Sequence, residues 1–583
     1  MITKLRRNEA GIALTSVVIV ALVMMTLVGG TVAFAVNSQD LSARDQGWNA
    51  ALAAAEAGLD DYLYRLNRED AYWACNETSP CGNNAFTGWV PVPGDAGNTD
   101  GKFRYRVDTS SFASDGTIKI ASTGLVRNST RTVYSILRRK SFLDYLYFTD
   151  YETLDPGAYS SSSDQSWANA NCREYRYEGR DSDCVAIHFF THDVVNGPLH
   201  TNDALLISSD ETDKPKFLGP TTSSYPDPDP VPGGWHRWYD GRYSTPTPTG
   251  TQSDPYFERP GDPAYEGILE IPPSNTAIKT KADSTPGATG CLYSGPTEIV
   301  LNSTGTMNVR SPQTPNTTPR YTQCVGTGKS LPANGVIYVQ KNSLTSGSYR
   351  CSLWNNSGST SALKRNHPFR EPNSGAFIPS NDVTQYGNPP TSPPTGGKCD
   401  GDAFVEGTLR GRLTIAAENN IVITDDIRYQ GGTAGTDLLG LVANNYVEVF
   451  HPVSSGGSNL VSGLNNLTIQ AAILSVAHSF RVQNYNEGSS LGSLTVDGVI
   501  AQKFRGPVGT FSQATGNSVN GYLKDYEYDN RLRFMAPPYF LDPVQAAWIV
   551  RDWAEVQPCY PSSTGAVRTT PTAYPCNADT PQV

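Results

Sequence analysis

The chain begins with a long apolar stretch that contains no charged residue. It runs from Ile12 to Val36, a length of 25 residues, and as an α-helix it would measure about 37 Å. The hydrocarbon core of a membrane is about 30 Å thick, so this helix is long enough to cross it. The apolar run of a secretory signal usually has about 7 to 15 residues. The pattern therefore predicts a membrane-spanning helix, although Ala33, Phe34 and Ala35 also fit the cleavage site of a signal peptide.

The helical pattern continues beyond this stretch. After a polar patch, apolar residues recur every three or four positions, at Leu52, Ala55, Leu59, Leu63 and Leu66. This spacing is typical of an amphipathic helix that packs one face against a folded domain. We therefore expect one long helix, apolar all round in its first half and amphipathic in its second.

Basic residues before the apolar stretch predict its orientation in a membrane. Lys4, Arg6 and Arg7 precede it, and short segments rich in Lys and Arg stay on the cytoplasmic side. The residues after Asn37 are then expected outside the cytoplasmic membrane. The prediction is a single-pass protein with its N-terminus inside.

Short alternating runs follow the helix. Residues 103–139 alternate apolar and polar positions over three runs, which Asp-Gly and Arg-Asn turns separate. Alternation with a period of two, interrupted by such turns, predicts an antiparallel meander. We expect the amphipathic half of the helix to cover one face of this small sheet, in a unit that ends near Lys140.

The remaining region is punctuated by proline-rich loops such as "SSYPDPDPVPGG" and "GNPPTSPPTGG". Proline at this density is excluded from central strands. Between the loops, apolar strand pairs begin at Leu413, Leu441, Leu467 and Leu494, which lie 28, 26 and 27 residues apart. A nearly constant period indicates stacked repeats, and the region is predicted to be a parallel β-helix. An antiparallel sandwich with coincidental spacing is the alternative.

Asparagine doublets precede three of these strands, as expected at tight corners where a residue adopts the left-handed conformation. They are Asn419 with Asn420, Asn444 with Asn445, and Asn465 with Asn466. The predicted fold is therefore an α+β N-terminal unit followed by a large, mainly-β domain. The predicted divisions are 1–11, a leader; 12–36, the apolar helix; 37–140, helix and sheet; 141–550, the β-rich domain; and 551–583, a disulfide-stapled tail.

Composition excludes one class of partner. The chain has 583 residues, a formal net charge of −11 and a pI near 5.2, with 53 Gly and 41 Pro. Nucleic-acid binding depends on clustered Lys and Arg that release counterions from phosphates. The sequence has no such cluster, so we expect no nucleic-acid partner.

The cysteine pattern predicts disulfides and not a metal site. None of the ten cysteines has the CxxC spacing typical of zinc ligands. In an exported chain, scattered cysteines in even number are expected to be paired. Pairing of near neighbours would close short loops at 75–81, 172–184 and 559–576, but spacing does not determine the connectivity. The predicted disulfide cysteines are Cys75, Cys81, Cys172, Cys184, Cys291, Cys324, Cys351, Cys399, Cys559 and Cys576.

The N-terminus resembles that of type IV prepilins, most closely the PilX-type minor pilins and related pilus assembly proteins. The resemblance consists of a short basic leader, Gly11, the long apolar helix and the segment "AAAEAGLD" that follows it. It implies cleavage after Gly11 by a prepilin peptidase and a mature chain that begins at Ile12. It also implies that other pilins contact the helix, and that the protein moves from the cytoplasmic membrane to the cell surface. An uncleaved single-pass anchor is the alternative.

One position departs from the family pattern. Major pilins carry Glu at the fifth mature position, which is Ser16 in this chain. In the family, that carboxylate is thought to meet the N-terminal ammonium group of a neighbouring subunit. Ser16 cannot supply the carboxylate, so the resemblance implies an unusual position for this subunit in a filament.

Two sets of residues have the chemistry of a catalytic site. Asp193, His200 and Asp203 could bind a cation or act as acid and base, and Asp425 with Asp426 could form a pair of carboxylates. Both sets lie in segments where turn residues of these types are common, and we interpret them as local hydrogen-bonding groups. Exposed tyrosines, with Trp235 and Trp238, could stack on sugars, although such residues more often pack in cores or loops.

The sequence therefore favours a noncatalytic minor pilin, or a type IV pilus assembly or tip component, without a cofactor. It would display a large extracellular β domain for adhesion to a surface glycan or host ligand. The alternative is an exported, membrane-anchored β-helix enzyme that acts on carbohydrate, because some β-helix proteins are polysaccharide lyases or hydrolases.

Overall fold

A computed structural model gives the fold, with side chains from residue 14 onward. The residues that the structure describes are 10–93, 101–112, 116–159, 161–189, 193–207, 214–225, 239–241, 256–260, 263–282, 289–311, 313–318, 320–342, 363–364, 401–454, 457–459, 463–512, 518–544, 547–560, 562–563 and 566–567. Several sequence predictions fall outside the described residues: Lys4, Arg6, Arg7, Trp235, Trp238, Cys351, Cys399 and Cys576.

The chain divides into two compact units. The first contains Met1–Phe112, Thr117–Arg138 and Trp548–Val583, and the second contains Ala113–Gly116 and Arg139–Ala547. The second unit is thus inserted into the sequence of the first. The domain bounds predicted from sequence remain predictions.

The first unit begins with the predicted long helix, which is confirmed as α1, Ala10–Arg68. Four strands follow: β1, Val90–Pro91; β2, Gly101–Asp108; β3, Thr117–Val126; and β4, Ser129–Arg139.

The second unit is mainly β, as predicted. Its helices are α2, Ser162–Asn171; α3, Thr276–Ala282; and α4, Tyr321–Cys324. Its strands are β5, Tyr147–Leu154; β6, Val194–Asn196; β7, Leu199–Thr201; β8, Leu205–Ile207; β9, Lys216–Phe217; β10, Thr221–Ser223; β11, Tyr239–Gly241; β12, Tyr256–Phe257; β13, Ala264–Tyr265; β14, Cys291–Ser294; β15, Thr297–Asn302; β16, Thr306–Arg310; β17, Gly326–Ser330; β18, Val336–Gln340; β19, Leu363–Lys364; β20, Ala403–Leu409; β21, Arg412–Ala417; β22, Ile421–Tyr429; β23, Leu438–Ala443; β24, Val447–Val449; β25, Val453–Ser454; β26, Leu467–Ser475; β27, Phe480–Val482; β28, Ser490–Arg505; β29, Gly509–Phe511; and β30, Ser518–Tyr528. The first unit resumes with β31, Trp548–Val556; β32, Ser562–Ser563; and β33, Ala566–Val567.

The sheet of the first unit has five strands in the order β1-β2-β3-β4-β31. Strands β2, β3 and β4 pair antiparallel, which confirms the predicted meander. The fifth strand comes from the far end of the sequence and lies beside β4. Two hydrogen bonds join α1 to β31 here. The backbone N–H of Trp548 donates to the side-chain oxygen of Asn67 at 2.6 Å, and the side-chain amide of Asn67 donates to the carbonyl of Trp548 at 3.1 Å.

The amphipathic half of α1 packs on this sheet. Its buried residues Ala55, Leu59, Tyr62 and Leu66 share one core with apolar residues of β2, β3 and β4. The sheet residues of this core are Phe103, Tyr105, Val107, Ile118, Ile120, Val133 and Leu137.

Two glycines allow the helix and the sheet to approach closely. A Cβ atom at Gly124 of β3 would overlap the backbone oxygen of Ala51 and the backbone nitrogen of Ala55 in α1. A Cβ atom at Gly58 of α1 would lie 2.8 Å from a ring carbon of Phe103. Both positions therefore require glycine for lack of space, and Gly58 belongs to the "AAAEAGLD" segment that carries the family resemblance.

Parallel strands dominate the second unit. Successive segments pair in register, β18 with β21, β21 with β23, β23 with β26, and β26 with β28. The side chains between them form one continuous apolar core that extends through most of the unit. A parallel pair needs a crossover connection, so a connecting segment separates each of these strands from the next one in the series.

The repeat spacing differs in part from the prediction. The structure pairs Leu467 with Leu494 as expected, but it pairs Leu413 with Leu439 and Leu441 with Ile473. The connection between β24 and β26, which includes β25, lengthens the repeat from Leu441 to Ile473. The repeat from Leu413 to Leu439 is 26 residues instead of the predicted 28.

The predicted left-handed asparagine corners are mostly wrong. Among the predicted residues, only Asn466 has a positive φ, 57°. The others form a ladder between repeats instead: the amide of Asn445 donates to the side-chain oxygen of Asn419 at 2.6 Å, and Asn420 accepts from the backbone of Tyr446 at 3.1 Å. Side-chain hydrogen bonds to the next repeat replace the unusual backbone conformation.

The two ends of the second unit lie together. Strand β5, near its start, pairs in parallel with β28, near its end. The backbone N–H of Lys140 donates to the carbonyl of Ala547 at 2.7 Å. The long insertion therefore begins and ends at one place.

Replacing Gly124 by Ala is expected to destabilise the first unit, because the added methyl group meets helix backbone that cannot rotate away. Overpacking of this kind typically costs about 1–3 kcal/mol. The measurement is hydrogen exchange of the β2–β4 amides in the detergent-solubilised chain. Gly88→Ala is the matched control, since its Cβ atom would lie no closer than 3.8 Å to its nearest neighbour. Equal protection in both variants would contradict the close-packing argument.

Candidate functional site

The first half of α1 exposes apolar side chains. Large residues from Leu14 to Val36 are at least half exposed, and Phe34 reaches 76%. None of the most apolar window of α1 is buried inside the structure, and α1 is long and apolar enough to cross a membrane. An exposed apolar surface of this extent indicates contact with lipid or with other apolar surfaces.

The positions predicted for processing and assembly lie at the start of this surface. Gly11 and Ile12 belong to α1, although their side chains lie outside the described part. Ser16 is exposed. Gly29 and Gly30 have no neighbouring atom within 4 Å of a Cβ position, so they are not required by packing within the chain.

The structure does not bring Asp193, His200 and Asp203 together into one site. The carboxylate of Asp193 pairs with Lys524 at 3.0 Å. Asp203 is buried against Arg180 and accepts hydrogen bonds from backbone amides, including one of 2.9 Å from Glu152. Each carboxylate therefore has a separate set of partners within the second unit, and these partners come from distant parts of the sequence and not from the local turn that the sequence suggests.

His200 is completely buried and held by neutral partners. Its Nδ1 atom lies 2.8 Å from the hydroxyl of Thr222, and its Nε2 atom lies 3.1 Å from the side-chain oxygen of Asn202. Burial lowers the pKa of His200 to about 3, and the charge of Lys140 acts in the same direction. Glu266 lies 3.6 Å from the ring but also pairs with Lys140. The imidazole is therefore neutral at physiological pH.

Asp425 and Asp426 lie inside strand β22 and not in the turn expected from the sequence, at a register irregularity in its pairing with β20. Asp425 accepts a hydrogen bond of 2.8 Å from the backbone of Asp426. Asp426 accepts from the backbone of Thr468 in β26 at 2.7 Å and pairs with Arg428 at 3.0 Å. The two carboxylates therefore bind donors of their own strand and of the neighbouring one.

Sequence reasoning missed a carboxylate–imidazole pair. Asp155 is buried and accepts hydrogen bonds from Nδ1 of His478 at 2.9 Å and from the hydroxyl of Ser479 at 2.8 Å. Burial opposes the charge of Asp155, but the hydrogen bond and charge of His478 hold the pKa of its carboxyl below the usual value. The residues are 323 positions apart, so no local sequence signal indicates the pair.

An aromatic and a basic side chain complete this cluster. The ring of His478 stacks on Tyr446 with centroids 4.4 Å apart. The guanidinium of Arg481 lies 3.7 Å from the centre of the same tyrosine ring and pairs with Glu448. The imidazole is thus oriented by a carboxylate and fixed by stacking, while 24% of its side chain remains exposed.

Disulfides join cysteines in both units. The structure pairs Cys75 with Cys81, Cys172 with Cys184, and Cys291 with Cys324. Cys559 is also disulfide-bonded. Among the described residues, no group of three or more His, Cys, Asp or Glu side chains is arranged to hold a metal ion.

No protein-family model and no curated protein matches the chain. Among solved structures, it is similar to the competence-associated pilin ComZ from Thermus thermophilus. The two share 13% sequence identity with a TM-score of 0.23, over 88% of this chain and 97% of that chain. A likeness of this degree does not define a common fold, so the functional argument rests on the residues of this chain.

The buried, neutral His200 predicts a pH dependence of stability. Its pKa in the folded protein, about 3, is below the value of 6.5 for a free side chain. At a pH between these two values, the imidazole therefore takes up a proton when the protein unfolds. The stability contributed by His200 is therefore complete above about pH 6.5 and is lost as pH falls, by up to roughly 1.4 kcal/mol per pH unit.

The measurement is denaturant unfolding of the second unit between neutral pH and about pH 4.5, compared with His200→Gln, which cannot titrate. Glu266, Lys140 and Tyr145 surround the ring and are unchanged in both proteins. Parallel pH curves for the two proteins would contradict the prediction.

Proposed function

We propose that this chain is a noncatalytic minor pilin of PilX type, acting in a type IV pilus or a related secretion filament. The observation that carries the proposal is the asymmetry of α1. Its second half packs on the sheet of the first unit, while its first half, from Leu14 to Val36, exposes apolar side chains along its whole length. A subunit that is stored in a membrane and then packed into a filament needs these two halves.

The proposed mechanism is an exchange of apolar contacts. In the membrane, lipid covers the first half of α1; in a filament, the helices of other pilins cover it. Both environments keep the apolar side chains out of water. Removing apolar area from water stabilises either state by about 25 cal/mol per Å². The folded units stay outside the membrane, which agrees with three described disulfides and with the oxidising compartments where disulfides persist.

Further parts of the proposal concern processing and architecture. Prepilin peptidase would cleave after Gly11, and the bounds 12–36, 37–140, 141–550 and 551–583 would describe the mature chain. We propose that the second unit is a parallel β-helix, because consecutive segments pair in parallel and in register. Its display at the cell surface would serve adhesion.

The enzymatic alternative depends on Asp155 and His478. An imidazole oriented by a buried carboxylate is the arrangement of a general base, and His478 is partly exposed. The proposal assigns the pair a structural role, because Ser479 and Tyr446 also bind Asp155. Polysaccharide cleavage by the purified chain that is abolished in His478→Gln would favour the enzyme.

The mature protein is expected to begin at Ile12, because Gly11 lies between a basic leader and a span too long for a secretory signal. Mass spectrometry of the protein extracted from cells that hold prepilin peptidase measures this directly. A chain that begins at Val36 would exclude the pilin function, and an intact Met1 would favour a plain membrane anchor.

Ser16 predicts a position at the filament tip. In the pilin family, the fifth-position carboxylate pairs with the ammonium group of a neighbouring subunit, and a buried charge without a partner is costly. A subunit with Ser16 lacks that carboxylate, but its own N-terminal amine at Ile12 can still receive the next subunit. We therefore expect few copies per filament and labelling by immunogold at the end only.

Two variants test the charge argument. Ser16→Glu restores the carboxylate and is expected to allow labelling along the shaft, whereas Ser16→Gln has a similar shape without the charge and should stay at the tip. Regular shaft labelling by the unmodified protein would refute the tip position. If Ser16→Glu is still found only at the tip, the size of the folded units, and not the missing charge, restricts the protein to the tip.

A further inference from the structure

A groove in the first unit is lined by charged and hydroxyl side chains. Its volume is about 870 Å³, and it lies beside the second half of β2, near the loop closed by the Cys75–Cys81 disulfide. Strand β1 pairs only with Lys102 and Phe103 of β2. Among the described strands, none pairs with this edge of β2 from Arg104 onward. Arg104, Arg106 and Asp108 alternate with the buried residues of β2 and lie on the sheet face opposite the core.

Arg104 carries the one charge in this groove that no described carboxylate compensates. Its Nε atom is buried and has no hydrogen-bond partner among the described residues. Its guanidinium carbon lies 4.6 Å from the centre of the Tyr560 ring, a cation–π contact. Such a contact stabilises the cation by about 0.5–1 kcal/mol at exposed sites, but it does not replace a hydrogen bond to the N–H groups.

The other charged groups of the groove are already engaged. Glu77 lies 3.3 Å from Nε of Arg106. Asp108 accepts a hydrogen bond of 2.9 Å from the backbone of Ser110, which lowers the pKa of its carboxyl although partial burial acts against it. Among the described residues of the groove, Arg104 is therefore the charged group that can receive a bound anion.

The remaining lining indicates what kind of anion fits. Small polar side chains at Asn76, Thr78, Thr87 and Ser110 also line the groove. The Thr78 hydroxyl donates to the side-chain oxygen of Asn76 at 2.6 Å, and the Thr87 hydroxyl donates to the carbonyl of Asn84 at 3.4 Å. Their oxygen atoms can still accept hydrogen bonds from a ligand rich in hydroxyls. A guanidinium binds a planar carboxylate through two parallel hydrogen bonds. The two carboxylates in the groove disfavour multiply charged anions such as phosphate.

We propose that this groove binds the carboxylate of an acidic sugar, a hexuronate unit within a glycan, with Arg104 as the residue that receives the carboxylate. Pockets of about 300–1,000 Å³ accommodate ligands of this size. The inference deepens the proposed function, because it requires the first unit to be displayed outside the membrane.

The experiment is calorimetric titration of the full-length protein in detergent with tri-galacturonic acid at physiological ionic strength. We expect binding that weakens with added salt and a dissociation constant at least about tenfold higher for Arg104→Gln, a loss typical of a charge-assisted hydrogen bond. Lys102→Gln is the matched control, because Lys102 belongs to the same strand but does not line the groove. It should bind as the unmodified protein does.

Each outcome decides the proposal. No binding of tri-galacturonic acid, or equal binding by Arg104→Gln, overturns it, as does equal binding of neutral maltotriose. Binding of poly-glutamate without binding of tri-galacturonic acid would assign the groove to an acidic protein instead. Unfolding curves of Arg104→Gln exclude misfolding as the cause, since no described carboxylate loses a partner in this variant. Cleavage after Gly11 is measured separately, so a failure of sugar binding would leave the proposed pilin function untouched.

Discussion

The contact between the backbone of α1 and that of β3 is the constraint on which the first unit depends. Gly124 and Gly58 remove the two side chains that would separate helix from sheet. The helix is then held along Ala51–Leu66 by backbone as well as by side chains. Because α1 is one continuous helix, fixing its second half also fixes the orientation of the apolar first half relative to the sheet.

Local patterns predicted the elements that local forces determine. The long helix and the antiparallel meander follow from periods of 3.6 and two, which need no knowledge of distant residues. The fifth strand, Trp548–Val556, could not be assigned to this sheet, because its partner β4 lies in a distant part of the sequence. Repeats in the second unit were recognised from spacing, but the longer connection between β24 and β26 shifted the register that the structure adopts.

The same distinction applies to the chemical groups. His200 and Asp203 were found from residue type, yet their partners, which decide that they are structural, come from other strands. Asp155 and His478 meet only after folding, and Arg104 is notable because no described carboxylate pairs with it. In the second unit, buried Arg505 pairs with Glu152 at 3.0 Å, where burial of an uncompensated ion would cost several kcal/mol. The half-buried guanidinium of Arg104 in the first unit differs from this arrangement among the described residues.

The insertion has a consequence for the order in which the parts of the chain are made and fold. The sheet that supports α1 is completed by a strand encoded after Ala547, so its outer strand emerges only when the whole second unit has been made. Pairing β31 with β4 closes a loop of several hundred residues, and loop closure over long separations slows folding. The Lys140–Ala547 hydrogen bond shortens that search, because a folded second unit holds its two ends together. Folding of the large unit thus precedes completion of the small one, and a chain that ends before Trp548 would leave the core to which this residue belongs unfilled.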